Sequence, residues 1–121
     1  MDWSLYPNFS PKEFTCKCGC GRVDMDEEFM AFLQDIRSDI GRKFTITSGY
    51  RCPAYEKNIG GSGKNHPTGK AADIVAERSV MSRIVARSEA YGFTGVGVSL
   101  SGDGNFIHLD TSHKDLTVWS Y

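Results

Sequence analysis

The sequence predicts an α+β domain in which helices pack on a small antiparallel sheet. Three observations carry this expectation. Two stretches, Asp26–Ile40 and Ser79–Tyr91, repeat apolar residues at helical spacing. Four short runs, FTIT, AADIV, GVGVSL and FIHLD, are rich in β-branched and other apolar residues. The helical signals come first, and strand and helix signals then mix along the chain.

Each element has its own local signal. Ser10 followed by Pro11 marks a short helix over Ser10–Phe14, because proline suits a first helical turn. In Asp26–Ile40 the apolar stripe is Phe29, Phe32/Leu33, Ile36 and Ile40, with Asp24 and Glu27 as the expected capping pair and Gly41 as the stop. Phe44–Thr47 reads as a strand ending at Ser48-Gly49. Pro53–Ile59 reads as a short helix closed by Gly60-Gly61, and Ala71–Val75 as a strand. The second long helix, Ser79–Tyr91, places Val80, Ile84, Arg87/Ser88 and Tyr91 on one side, with Gly92 after it. Val96, Val98 and Leu100 alternate as in a half-buried strand. Ser101–Asn105 is the turn that returns the chain as Phe106–Asp110, its hairpin partner.

The 121 residues fit one domain spanning 1–121, large enough for a hydrophobic core. Apolar residues at 40% and charged residues at 24% are ordinary for a globular protein. A net charge of −1 predicts no bulk attraction to nucleic acid. No apolar run reaches the length of a membrane span. The start, MDWSLYPNFSPKEF, lacks the basic and then apolar pattern of a secretory signal. Synthesis in the cytoplasm is therefore expected, with release or export needed for action outside, and a monomer is expected.

Of four cysteines, Cys16, Cys18 and Cys20 lie in CKCGCG, and Cys52 follows Arg51. C-x-C-x-C is not the usual C-x-x-C knuckle. It reads either as a clip, metal or disulfide, tying the N-terminal arm to the Cys52 loop, or as reduced thiols in a glycine-rich turn.

The chemistry concentrates in His66, Asp73 and His108. Two imidazoles and a carboxylate hold a divalent metal and leave a position open for water, as catalytic zinc sites do. In Phe106–Asp110 side chains alternate, so Ile107 and Leu109 can fill the core while Phe106, His108 and Asp110 share the other face. Asp73, set among alanines and apolar residues, is costly there unless paired or bound to metal. Taken singly, His66 reads as a loop histidine, His108 as a hydrogen-bonded strand histidine, and Asp73 as a strand-edge carboxylate. A rival constellation also exists: His108-x-Asp110 is the first pair of a two-histidine, one-carboxylate iron site. Only His113 follows it, and too little chain remains for the jelly roll such a site uses.

The stretch ITSGYRCP…GGSGKNHPTGKAADI…GVGVSL…FIHLD resembles the zinc D-Ala-D-Ala carboxypeptidases, the M15 peptidases, above all their small phage and bacterial cell-wall members. The resemblance runs from about Phe9 to Trp119. It implies the α+β fold shared by these DD-peptidases and the hedgehog signalling domain. It also implies Zn2+ on His66, Asp73 and His108. Arg51 would bind a substrate carboxylate or steady the oxyanion. The implied substrate is the peptidoglycan stem peptide, cleaved at an amide beside D-alanine or a related position, as by a carboxypeptidase, an endopeptidase or an endolysin. The sequence departs from the family in several places. Many members carry a catalytic acid where Asn105 stands, so Asp103 becomes the first candidate for the general base and Asp110 the second, with orientation of His108 as its other role. Lys64 replaces a common serine and Glu56 a common asparagine. Asn105 also keeps open a non-catalytic wall-binding or structural module, and a non-wall peptide is the third possibility.

Overall fold

In the computed structural model, which describes residues 1–63, 65–100 and 105–121, the long helix α2 (Glu27–Ile40) follows a short α1 (Pro11–Phe14). Phe29, Met30, Leu33 and Ile36 of α2 are completely buried, each contributing about 1.5–3 kcal/mol by leaving water. The cap lies two residues later than the expected Asp24. Asp26 accepts the Phe29 N–H at 2.9 Å, the spacing at which a cap side chain reaches an unpaired first-turn donor. Asp24 instead pairs with Arg22. Gly41 ends the helix in the left-handed conformation, as expected.

Five strands form one sheet in the order β1-β2-β4-β3-β5. They are β1 (Thr45–Ser48), β2 (Ala71–Val75), β3 (Gly95–Ser99), β4 (Phe106–Asp110) and β5 (Thr117–Ser120). Two more helices interrupt them: α3 (Pro53–Asn58) follows β1, and α4 (Arg78–Arg87) follows β2. The four pairing strands expected from sequence are antiparallel, with Asp73 opposite His108 across β2 and β4. β5 corrects the expectation of a wholly antiparallel sheet, because it runs parallel to β3. β4 ends at Asp110, opposite the first residue of β3, so residues 111–116 deliver Thr117 beside Gly95 with the chain already heading along β3. Leu100, expected in β3, lies past its end and is exposed. The expected turn at Ser101–Asn105 falls largely outside the described residues.

One sheet face carries Ala72, Ile74, Val96, Val98, Ile107 and Leu109, which join α2 and α4 side chains in a common apolar cluster. The opposite face is then free for polar groups, and Asp73, His108 and Asp110 stand on it. Among the described residues no helix is long and apolar enough to cross a membrane.

Candidate active site

The loop after β1 carries the S-G-Y-R run, and each residue in it has a physical task. Gly49 packs on Phe14 so closely that a Cβ would sit 2.7 Å from that residue's backbone. Its carbonyl oxygen accepts the Nδ1–H of His66 at 2.8 Å. Tyr50 is buried and donates its backbone N–H to Phe14. Arg51 then reaches into the cleft.

His66 opens a turn of 3-10 helix, His66–Thr68, ahead of β2. Because its Nδ1 proton is committed to Gly49, Nε2 keeps its lone pair and faces Asp73 Oδ1 at 3.6 Å. Asp73 and His108 are cross-strand partners, and His108 Nδ1 lies 3.0 Å from the same oxygen. The far side of His108 is fixed as well: Nε2–H donates to Asp110 Oδ2 at 2.7 Å. Each imidazole is thus held through one nitrogen and offers the other to a common point.

The donor atoms of His66, Asp73 and His108 all lie within 4.8 Å of one another. Zinc bonds of about 2.0–2.1 Å in a tetrahedron require ligand atoms about 3.3 Å apart. The two measured separations, 3.0 and 3.6 Å, bracket that value. The donor set, two imidazole nitrogens and one carboxylate oxygen, suits zinc once the incoming metal displaces the Nδ1 proton of His108, so residues and metal fit.

The electrostatics agree with a site built for a cation. Burial by itself would raise the Asp73 carboxyl, but the adjoining His108 and His66 rings outweigh it and hold the group well below the usual carboxylate range. Burial would lower His108, yet hydrogen bonds to Asp110 and Asp73 push it up to about 9. Asp110 is held down to about 2, its burial overridden by hydrogen bonds from His108 and His113.

His66, Asp73 and His108 line a cleft of about 330 Å³, shared with Arg51, Glu56 and Trp119. Arg51 sits between two carboxylates, with Nη1 at 3.1 Å from Glu56 Oε1 and Nη2 at 3.5 Å from Asp73 Oδ2. Glu56, at 3% exposure, also accepts the Gly63 N–H.

Asp110 is placed differently from the cleft residues. It has no exposed surface, and it lies behind His108 with both oxygens engaged. His113 Nδ1 contacts Oδ1 at 2.8 Å, as does Ser112 through its backbone N–H, and the Ser112 hydroxyl also bonds Asn65, the residue before His66. His108, Asp110 and His113 form a hydrogen-bonded chain, and among the described residues they do not converge as the iron constellation requires. Asp103 and Lys64 lie outside the described residues. Asn105 directly precedes β4, its Oδ1 buried without a partner among the described residues.

Sequence reasoning missed Trp119, whose indole lies 5.3 Å from the His108 ring and 5.4 Å from that of His113. It also missed why β3 alternates glycine with valine. Gly97 lies between His108 and Trp119 in register, and a Cβ there would come within 2.6 Å of the indole. Gly95 lies opposite Asp110, and a Cβ would sit 2.2 Å from its carboxylate. Glycine inside a strand marks such close approaches, and that was the available signal.

A family model described as Peptidase M15 matches residues 7–110 of the chain. No curated protein matches it.

Proposed function

Because the chain belongs to the M15 peptidase family, we propose that it is a zinc-dependent peptidase acting on the stem peptides of peptidoglycan. The observation that carries this reading is the convergence of His66, Asp73 and His108 in a cleft beside Arg51. His66, Asp73 and His108 would hold the zinc ion, which when bound would supply Lewis acidity and make water easier to deprotonate near neutral pH.

The chain's own residues do the rest. Arg51 presents a planar fork of donors, matched to a substrate carboxylate or to a carbonyl oxygen as it gathers negative charge. Glu56 holds that fork on one side, which limits its rotation. Trp119 covers the His108 ring and walls the cleft. Asp110 acts as a positioning residue: it fixes which nitrogen of His108 faces the cleft and, through Ser112 and Asn65, links the two histidine-bearing segments. Asp103, three residues ahead of the cleft-lining Phe106, is the proposed base that takes a proton from the attacking water and returns it to the leaving amine. Its assignment rests on sequence position.

A clearing assay on purified cell walls tests the reading. Wild-type protein with zinc is expected to clear the wall, and His66→Ala is not. No clearing by either protein would leave the non-catalytic wall-binding module in its place, and equal clearing would take the activity away from the His66 site.

A further inference from the structure

We propose that Cys16, Cys18, Cys20 and Cys52 form a second metal site, a closed zinc–thiolate centre that fastens the N-terminal arm to the loop bearing Arg51. The four sulfur atoms all lie within 4.8 Å of one another. Cys16 Sγ is 3.5 Å from Cys18 Sγ, which is 3.6 Å from Cys52 Sγ. A disulfide would need about 2.05 Å. Zinc–sulfur bonds of about 2.3 Å in a tetrahedron place sulfurs about 3.8 Å apart, near the separations found.

This convergence does not follow from the spacing alone. In an extended chain, residues two apart share a face but stand about 6.6 Å from each other. The C-x-C-x-C run is instead wound into a turn. Gly19 and Gly21 have φ of 91° and 78°, and Cys16 N–H closes the turn on the Arg22 carbonyl at 2.8 Å. Cys52 arrives from the far side of the chain, and its backbone N–H donates to Cys16 Sγ at 3.3 Å, the kind of contact that stabilises a thiolate. Cys16 and Cys52 are buried, whereas Cys18 and Cys20 are exposed, which gives an ion a path in.

Four protein thiolates fill a zinc ion's coordination and leave no position for water, so the centre is structural. Binding releases the four thiol protons and leaves a net charge of −2, with Lys17 inside the run and Arg22 just after it. Cys52 caps α3 and directly follows Arg51, and Tyr50 already bonds Phe14 across the same junction. The centre thereby holds the segment that aims Arg51 into the cleft. The inference is independent of the peptidase reading, because it concerns different ligands.

Cobalt substitution of the full chain tests it. Thiolate ligands give an intense thiolate-to-cobalt charge-transfer absorption that a histidine–aspartate site does not. The expected result is that this band appears in wild-type protein, persists in His66→Ala and disappears in Cys18→Ser together with one equivalent of zinc. Should Cys18→Ser fail to fold, the His66→Ala protein decides by itself: its band should be present, and chelation should lower its Tm. Absence of the band from both proteins, stoichiometric iron in place of zinc, or disulfides in protein purified without reductant would each overturn the proposal.

Discussion

At Gly95 a single added methyl group would collide with the carboxylate of Asp110, which in turn holds His108. Gly95→Ala is therefore expected to cost about 1–3 kcal/mol in unfolding free energy through overpacking, and to weaken zinc binding as well. Denaturant unfolding and chelator competition measure the two effects; a loss of stability with unchanged zinc affinity would separate Asp110 from the metal site. Asp110→Asn removes the charge that orients His108 while keeping the shape. Zinc affinity is expected to fall about 10–100-fold, read by chelator competition. Asp103→Asn should lower turnover about 100-fold or more at unchanged zinc content, the size of a lost general base. Near-normal turnover would move that role to another carboxylate. That His66, Asp73 and His108 belong together was legible in part from residue chemistry, since their side chains are among the few that bind divalent metals, although each also had an ordinary structural reading and only the fold brings the three side chains together. Trp119 could not, because it acts only through a contact that the strand register creates, and His113 could not, because its contact with Asp110 depends on how the chain turns after β4.

At the scale of elements, α2 was legible because its apolar stripe repeats over its whole length, whereas its cap was not. Asp24 and Asp26 both precede the stripe, and only the helix's true first residue tells which one reaches an unpaired N–H. Asp26→Ala is expected to cost about 1 kcal/mol by thermal or denaturant unfolding, and Asp24→Ala much less. The reverse order would return the cap to Asp24. β2 and β4 were legible to the residue, since each is a short apolar run interrupted by single polar residues and bounded by turn signals. β5 was not, because four residues of mixed polarity carry almost no periodic signal and its pairing depends on where β4 ends. The glycines of β3 were visible as an alternation, but their meaning depended on side chains of the two adjoining strands, β4 and β5.

Across the whole molecule, the sheet divides labour between its faces. The apolar face, with α2 and α4, supplies the core, and the other carries Asp73, His108 and Asp110 in register. The N-terminal arm is bound to the site from outside the sheet, through Phe14 to Gly49 and Tyr50 and through the cysteines to Cys52. Sequence could show that these segments carry chemistry, but not that they meet, since long-range contacts follow from topology. The central claim is that the His66, Asp73 and His108 cleft hydrolyses stem-peptide amides. Mass spectrometry of defined muropeptides treated with wild-type and His66→Ala protein tests it most directly. Wild-type protein with zinc is expected to yield products split at an amide beside D-alanine or a related stem position, and His66→Ala or chelated protein is expected to yield none. Intact muropeptides after wild-type treatment, or the same products from His66→Ala, would contradict it.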